Sequence, residues 1–493
     1  MKITNTAASL LHRANPAREA LSVLVRCKFL LPLLLVACSP GPTYVRPDTI
    51  AVTGSSTYEH SEGAAVQEGS SARWWKSYHD PLLDAWIARL ESENLELKAA
   101  AERVLQARQR VRIQQGGLWP SLGVSGGSVR SFGPDLAMPG ERSYNTSIEA
   151  GGAISWQIDL FERTRNAVES ARFEELARVG DHRALLQTLV AELVSQRATL
   201  ALLDREVEIQ REIVLSREQT LNTVSRRYRL GVKNASAVGV HTAIENLSSA
   251  QADLLLLQQR GRETRVTVDV LLNQQPGTLQ ADSAAQEARS FALVVPQQMP
   301  TLQTPAALLD QRPDIISSEL RLMAANADIG IAIADLFPDL TLSANRGFSS
   351  DDVSNLFKNN NAVGFLAGNI SARIFEGGRL RAQIRLREAQ ARELTLQYSA
   401  LVLTAVAEVE TALVQEQYLR QRLDKLNAGI KAARQADALA QDRYRRGIES
   451  LVVVLETQRR RQNAERNLLA AQRASWQARI NLHLALGGDW GNG

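Results

Sequence analysis

The side chains that most often carry catalysis are scattered in this sequence. Its six histidines include no pair four residues apart, no metal-binding acidic motif and no cysteine companion, which are the patterns through which proteins hold zinc. No glycine-rich loop that could cradle a phosphate opens a helix after a buried strand. We therefore expect no enzyme, no metal and no non-covalent cofactor.

The residue with the clearest chemistry is Cys38. The segment Leu35-Val36-Ala37-Cys38 closes a short apolar run, and a basic stretch precedes that run, which is the layout of an export signal. Small residues directly before the cysteine predict a lipoprotein signal peptide over 1–37 and a lipidated Cys38 as the first mature residue. An ordinary signal peptide with a coincidental cysteine is the alternative. Ser39 is typical of bacterial lipoproteins sent to the outer membrane. Because Cys27 lies in the signal, no internal disulfide is expected.

Removal of residues 1–37 changes the charge of the chain. The signal holds five basic residues and one acidic residue, which leaves 52 of each in the mature chain. The basic balance therefore belongs to the signal, and we expect no nucleic-acid partner. Gln, Ala, Leu, Arg and Glu dominate while aromatic residues make up 5%, a composition typical of long helices. No apolar run of about 18 residues follows the first forty, so no transmembrane helix is predicted.

An internal repeat organises the chain. Residues 154–231 lie on residues 370–447 at a constant offset of 216, and both copies end on Arg-Tyr-Arg-x-Gly, with Gly231 and Gly447 as the last residues. Two copies of one supersecondary unit are therefore predicted. The predicted domains are the signal peptide (1–37), a lipidated extended tether (38–72), a first repeat (73–275), a link between repeats (276–304), a second repeat (305–486) and a C-terminal tail (487–493).

Each repeat is predicted to contain a helix, a β-hairpin, a long helix and a shorter helix. Asp80 and Pro81 predict a capped helix start, with helical spacing from there to Gly116. The period then changes to two. The alternating positions are Ile148, Ala150, Gly152, Ile154, Trp156 and Ile158 in the first copy, and Gly364, Leu366, Gly368, Ile370, Ala372 and Ile374 in the second. Such strands are long enough to cross a bilayer when tilted; a hairpin on a soluble sheet is the alternative.

Four strands per chain cannot close a barrel. An open sheet edge in lipid leaves backbone groups without hydrogen bonds, at several kcal/mol each, and single-chain barrels begin at about eight strands. The chain must therefore share a barrel with copies of itself, and three chains would supply twelve strands. The predicted fold class is mainly α with transmembrane β: a long coiled-coil helical barrel together with a trimeric twelve-stranded β-barrel.

A long helix is predicted after each hairpin. No proline lies between Pro139 and Pro276 or after Pro338, and helical spacing runs for about seventy residues, or about 100 Å. A coiled-coil seam of the a/d type is formed by Leu186, Leu189, Leu193, Leu200, Leu203 and Val207. Glu416 falls on the matching seam of the second copy. Gly231 and Gly447 are predicted to end the two helices. A fibrous coiled coil is the alternative, although a fibre has no use for matched hairpins.

These features resemble the TolC-like outer membrane factors, specifically the NodT-type lipoproteins of resistance-nodulation-division (RND) efflux systems. The resemblance covers essentially the whole mature chain. Its motifs are Leu308-Leu309-x-x-Arg312-Pro313-Asp314-Ile315, Ala324-Ala325-Asn326-Ala327-x-Ile329-Gly330, Cys38-x-x-Gly41-Pro42-x-Tyr44 and Leu486-Gly487-Gly488-x-Trp490. It implies a lipid-anchored homotrimer in the cell outer membrane with its helical tunnel in the periplasm. The implied partners are a periplasmic adaptor (membrane fusion protein) and an inner-membrane RND pump.

The resemblance also implies a periplasmic gate near the last helix–helix turn. Laid on this sequence, the family pattern puts Val452 at an apolar ring and Glu456 at an acidic ring, with Tyr444 and Arg459 as neighbouring tethers. The family more usually has Leu and Asp at the two ring positions. Core packing is the alternative role for Val452, and a solvated coiled-coil charge is the alternative for Glu456. The two tips, which contain Gly231 and Gly447, are expected to face the adaptor.

The predicted function is an outer membrane exit channel that passively conducts small molecules, with the pump as the source of energy. A ring of three carboxylates would favour cations at the closed mouth. Two alternatives stay open: a duct for type I protein secretion, and a periplasmic coiled-coil scaffold that conducts nothing. Selection among substrates is expected to lie in the pump.

Overall fold

The computed structural model describes residues 41–48, 58–60, 73–134, 142–232, 235–281, 291, 294–296, 299–300, 302 and 304–488. The predicted signal peptide, the lipidation site Cys38 and Trp490 lie outside these residues. The chain divides into two compact units. One unit includes Arg110–Arg172 and Met323–Ala391, and the other includes Val45–Gln109, Phe173–Leu322 and Arg392–Gly493.

The described helices follow the predicted repeat. The first copy contains α1 (Pro81–Glu93), α2 (Leu95–Gly116), α3 (Arg163–Arg229) and α4 (Ala237–Leu271). The single turn α5 (Thr278–Ala281) lies in the predicted link, and the single turn α6 (Leu308–Gln311) lies at the start of the predicted second copy. The second copy contains α7 (Pro313–Ala334), α8 (Arg379–Arg445) and α9 (Leu451–Ala485). Short 3₁₀ turns lie at Trp74–Tyr78, Pro305–Ala307, Val353–Asn355 and Asn359–Asn361. None of the described helices combines the length and the apolarity that crossing a membrane requires.

The start of the first helix is confirmed, but its predicted length is wrong. The Asp80 carboxylate accepts hydrogen bonds from the backbone N–H groups of Leu82 and Leu83 at 3.0 and 3.3 Å, and Pro81 occupies the first turn. The helix does not continue to Gly116, because the backbone of Asn94, with φ of -59° and ψ of 129°, leaves the helical conformation and separates α1 from α2. The Asn94 side chain caps α2 through the N–H groups of the next turn and also donates to the carbonyl oxygen at the end of α4.

Both predicted hairpins are present in one antiparallel sheet. The strands β1 (Ser121–Pro134), β2 (Arg142–Ile158), β3 (Asp339–Ser350) and β4 (Ala362–Ser371) pair in sequence order. The two hairpins therefore meet at β2 and β3, where Trp156 lies opposite Leu342. Strands β1 and β4 form the two edges of this sheet.

One face of the sheet carries large apolar side chains. Cross-strand partners point to the same face, and these partners include Leu122 with Ile154 and Leu340 with Ile370. The predicted alternation is thus confirmed through Ile370. The second hairpin ends earlier than predicted, because Ala372 and Ile374 lie beyond the last residue of β4. Side chains on both edge strands are exposed throughout most of their length.

The two long helices are confirmed and have the same length. Both α3 and α8 contain 67 residues, or about 100 Å at 1.5 Å per residue. Gly231 and Gly447 follow them with φ of 64° and 78°, a conformation in which a side chain is strained. Each glycine N–H bonds to the tyrosine carbonyl three residues back, and the next N–H bonds to the preceding arginine carbonyl, at 2.9–3.1 Å. This pair of bonds defines a Schellman motif in both copies.

The returning helices also match in length. Both α4 and α9 contain 35 residues, and each begins after a serine, Ser236 or Ser450, whose hydroxyl accepts a backbone N–H. The connection between Arg229 and Ala237 is two residues longer than the connection between Arg445 and Leu451. Equivalent positions are therefore 216 residues apart in the long helices and 214 residues apart in the returning helices.

The helical unit has two hydrophobic clusters. The first joins Trp75, Leu83, Leu193 and Leu202 to residues of α9, among them Trp476. The second is built from α8 and its surroundings: Ile315, Tyr398, Val402, Val409 and Leu482. Most of the predicted coiled-coil seam is buried, including Leu189, Leu193, Leu200 and Leu203, so the a/d interpretation of α3 is confirmed.

Candidate functional site

Three of the four predicted gate residues line one groove. Val452, Glu456 and Arg459 lie four and three residues apart at the start of α9, so their side chains share a helix face. Together with residues of α3 and α4, among them Arg217 and Asp253, they line a groove of about 410 Å³. Val452 is 74% exposed, so it does not pack into the core of its own chain.

The Glu456 carboxylate is held by two arginines of its own helix. Arg459 donates to it at 2.9 Å through two nitrogens, and Arg460 donates at 2.7 Å. The hydrogen bond from Arg460, and then the one from Arg459, lower the pKa of Glu456, so the carboxylate stays ionised at neutral pH. The group of three side chains carries a net charge of +1. Sequence reasoning overlooked Arg460, although its position four residues after Glu456 is the usual spacing for a helical ion pair.

The fourth predicted gate residue, Tyr444, lies elsewhere, at the end of α8. The Arg227 guanidinium lies 4.7 Å from the centre of the Tyr444 ring and donates a hydrogen bond to the Tyr444 carbonyl oxygen at 3.3 Å. A cation over an aromatic face is attracted by the ring quadrupole. A first-repeat residue therefore holds the end of the second long helix. Arg227 was predicted only as part of a helix end.

The equivalent pair in the other direction is not formed within the chain. The counterpart of Arg227 is Arg443, whose guanidinium lies 3.5 Å from the Glu449 carboxylate in its own turn. The counterpart of Tyr444 is Tyr228, which is 48% exposed. The two tips thus share a backbone but use their repeated arginines differently.

Two arrangements that often carry catalysis were compared with the described residues. No group of three His, Cys, Asp or Glu side chains in the described ranges could hold a metal ion. Gly123-Val124-Ser125-Gly126-Gly127 does match the letters of a nucleophile-elbow motif. This segment lies inside β1 and pairs along its whole length with β2, so it makes no strand-to-helix turn that would present the serine.

The sequence relates this chain to known proteins. It belongs to the outer membrane efflux protein family, whose model matches residues 86–274 and 304–488. It is 31% identical to the pyoverdine export outer membrane protein OpmQ of Pseudomonas putida, over 94% of this chain and 97% of that protein.

Solved structures of outer membrane channels are also similar to this chain. The outer-membrane channel OprN superposes with a TM-score of 0.82 at 26% identity, covering 92% of this chain and all of that one. The open state of the Neisseria gonorrhoeae MtrE outer membrane channel superposes with a TM-score of 0.77 at 25% identity, covering 92% and 99%. The resemblance to outer membrane factors, the mainly helical fold class with a two-fold repeat and β-strands, the outer-membrane location and the role as an efflux exit channel are confirmed.

Proposed function

We propose that this protein is the exit duct of a tripartite RND-type assembly, in which a homotrimer docks to a periplasmic adaptor and an inner-membrane pump. Substrate would pass through it without any energy input from this chain. The observation that carries the proposal is the four-stranded sheet with edges at β1 and β4. In lipid each edge needs a hydrogen-bonding partner, and another copy of the same sheet offers one.

Three copies would give a barrel of twelve strands. A single sheet of four falls short of the smallest closed membrane barrels, which have about eight strands. A cyclic trimer joins the β4 edge of one chain to the β1 edge of the next, and this repeats until the ring closes. The long helices would then line a tunnel, and a lipid on Cys38 would anchor each chain to the membrane.

The gate in this proposal has a mixed charge. Val452 supplies an exposed apolar side chain, and the Glu456 carboxylate is paired with Arg459 and Arg460. Three such groups would carry a net positive charge, so the cation preference expected from a ring of bare carboxylates does not follow. Tyr444 contributes from the tip, through its contact with Arg227. The turns at Gly231 and Gly447 are the surfaces that would meet the adaptor.

The mass of the solubilised protein and the accumulation of dyes in cells test the proposal. Light scattering of the detergent-solubilised protein, corrected for detergent, should give three chains. Deletion of the gene should raise the accumulation of efflux dyes in cells, and the wild-type gene should restore it. A monomer that restores transport would overturn the shared barrel. Unchanged dye levels with loss of a secreted protein would favour a type I secretion duct, and no transport effect would favour the scaffold.

A further inference from the structure

One end of the first hairpin carries two arginines and two aromatic rings on a single face. Phe132 lies opposite Tyr144 in the register of β1 and β2, and the centres of their rings are 6.3 Å apart. Arg130 and Arg142 each lie two residues from one of these rings, so all four side chains point to the same side of the sheet. All four are exposed, and together they are called the hairpin cluster.

The two arginines of the hairpin cluster stack on the rings across the strands. The guanidinium of Arg130 lies 5.3 Å from the centre of the Tyr144 ring, and that of Arg142 lies 5.8 Å from the centre of the Phe132 ring. Such a contact uses the flat face of a guanidinium and leaves the N–H groups at its edge available as donors. Neither guanidinium forms an ion pair with an acidic residue in the described ranges. The rings therefore position two cations whose donors can reach a ligand.

The hairpin cluster lies at the end of the apolar face of the sheet. This face runs along β2 from Ile158 to Ile148, which is about 34 Å along the strand, or about 25 Å across a membrane at the usual strand tilt. The cluster follows directly beyond Ile148, at the height where the aromatic girdle of a membrane barrel meets the lipid headgroups. Because β1 follows α2 and β2 precedes α3, this end of the hairpin is the one remote from the helices. With the helices in the periplasm, the cluster faces the outer leaflet.

The acidic residues of the described strands lie on the opposite face. They are Glu149 of β2 and Asp339 of β3. Glu149 directly follows Ile148 and Asp339 directly precedes Leu340, and neighbouring residues of a strand point to opposite sides of the sheet. Within the described strands, the apolar face therefore carries cations without anions. This charge pattern is complementary to a negatively charged ligand.

The internal repeat contains the same pattern in the second hairpin. At the offset of 216, Arg130-x-Phe132 of β1 recurs as Arg346-x-Phe348 of β3. The register of β2 and β3 places this second pair on the apolar face as well. The ring of Phe348 also contacts a second aromatic ring, that of Phe357, at 5.5 Å. An arginine beside a pair of rings is thus a feature of both hairpins, and in the hairpin cluster two cations are stacked on the rings.

We infer that the hairpin cluster binds a phosphate group of an anionic glycolipid in the outer leaflet of the outer membrane. The edges of the Arg130 and Arg142 guanidinium groups donate charge-assisted hydrogen bonds to the phosphate oxygens. The rings of Phe132 and Tyr144 contact the sugar and the start of the acyl chains, where aromatic side chains are favoured. Charge complementarity identifies a lipid as the ligand, because cations at headgroup height on a lipid-facing surface meet phosphate there. The inference rests on the proposed barrel, which turns this face to lipid, and adds a ligand to it.

Native mass spectrometry of the detergent-solubilised full-length protein tests the inference, because one spectrum gives both the number of chains and the bound lipids. The probe is phosphorylated lipid A in a buffer without divalent cations. The same lipid after removal of its phosphates should bind the wild type about 20-fold more weakly. Arg130→Gln combined with Arg142→Gln should weaken binding of the phosphorylated lipid by about the same factor. Arg226→Gln combined with Arg229→Gln removes two charges from the last turn of α3 and should leave lipid binding unchanged.

The outcomes separate this inference from the proposed function. A trimer that prefers the phosphorylated lipid, and loses the preference only when Arg130 and Arg142 are changed, supports both. A wild-type trimer that binds the two lipids equally overturns the lipid site and leaves the exit duct standing, and this comparison needs no variant to fold. A preference that survives the change of both arginines, or displacement of the lipid by inorganic phosphate, also overturns the site. A monomeric mass overturns the proposed oligomer, whereas a phosphate preference in that monomer would still support the site.

Discussion

The two long helices bury their charges at exchanged positions. Arg197 is a buried charged side chain of α3, and its counterpart in α8 is Leu413. Glu416 is a buried charged side chain of α8, and its counterpart in α3 is Leu200. The two copies thus have the same backbone and length, but one seam contains a cation where the other has leucine, and the reverse holds one turn later.

The difference follows from the surroundings of each helix. Arg197 pairs at 2.8 Å with Asp80, the residue that also caps α1, and both side chains are almost fully buried. Burial lowers the pKa of Arg197, and the charge of Asp80 opposes this shift. Glu416 pairs at 2.6 Å with Arg479 of α9. Each buried charge is therefore stabilised by a partner that is placed differently in the other copy. For this reason the two duplicated helices can bury different residues at equivalent positions.

The largest loss of stability is expected when the buried seam of α8 receives the residue that α3 has at the equivalent position. Glu416→Leu introduces the residue found at position 200 and removes the carboxylate from Arg479, whose side chain is 2% exposed. Loss of one partner of a buried ion pair costs about 3–5 kcal/mol, so the thermal unfolding midpoint followed by circular dichroism should fall clearly.

A double variant and a surface control define this prediction. Glu416→Leu with Arg479→Met replaces both charges by apolar groups and should recover most of the loss. Arg420→Ala removes the more exposed partner of the same carboxylate and should change stability by about 0–1 kcal/mol. A Glu416→Leu variant as stable as the wild type would show that this pair does not distinguish the two seams.

The next largest loss of stability should be equal in the two copies, because it comes only from the backbone conformation of the two tip glycines. Gly231→Ala and Gly447→Ala each force a side chain into the left-handed region, at about 1–2 kcal/mol. Nothing lies within 4 Å of a Cβ added at either position, so backbone strain is the whole effect. Gly429→Ala, inside α8 and equally open, is the control and should stabilise by about 0.5–1 kcal/mol. Unequal losses at the two tips would contradict the shared Schellman geometry.

Sequence reasoning predicted the features that depend on local patterns. The offset of the repeat, the caps at Asp80 and the tip glycines, and the alternation in the hairpins all follow from short-range rules. The break at Asn94 was missed because its cause is distant: its side chain reaches the carbonyl of Leu271, 177 residues away. The partners Arg227 and Arg479 were missed for the same reason, since neither spacing nor periodicity states which helices meet.

Two titratable residues lie at equivalent positions of α4 and α9, Asp269 fully buried and His483 half-buried. Asp269 accepts backbone N–H bonds from Gly277 and Leu279, whereas His483 stacks on Trp74 at 4.6 Å. Burial, and then the charge of Arg479, lower the pKa of His483 from 6.5 to about 3. The folded state therefore favours the neutral ring, and stability should be lost as the pH falls from 6.5 towards 3.

His483→Phe isolates this contribution, because the phenyl ring keeps an aromatic contact with Trp74 but cannot be protonated. Between pH 6.5 and 5 the variant should lose about 1 kcal/mol less stability than the wild type, a figure reduced for the partial exposure of the ring. Thermal midpoints of both proteins at the two pH values measure this difference. Parallel losses would place the acid sensitivity in other groups.

The smallest change in stability is expected at the tip of α8, where an aromatic contact is present that the tip of α3 lacks within one chain. Tyr444→Ala removes the ring that Arg227 covers, an interaction worth about 0.5–1 kcal/mol at an exposed site. Trypsin should then cut after Arg445 and Arg446 about two to five times faster. Tyr444→Phe keeps the aromatic face and should be cut at the wild-type rate.

The same measurement on Tyr228→Ala decides whether the tips remain different in the assembly. Within one chain Tyr228 is exposed and Arg443 lies beside Glu449, so the chain alone predicts little change. If another copy of the chain covers this ring in the proposed homotrimer, Tyr228→Ala should speed cleavage as much as Tyr444→Ala does. An effect of Tyr444→Ala alone would mean that the asymmetry of the single chain persists in the complete channel.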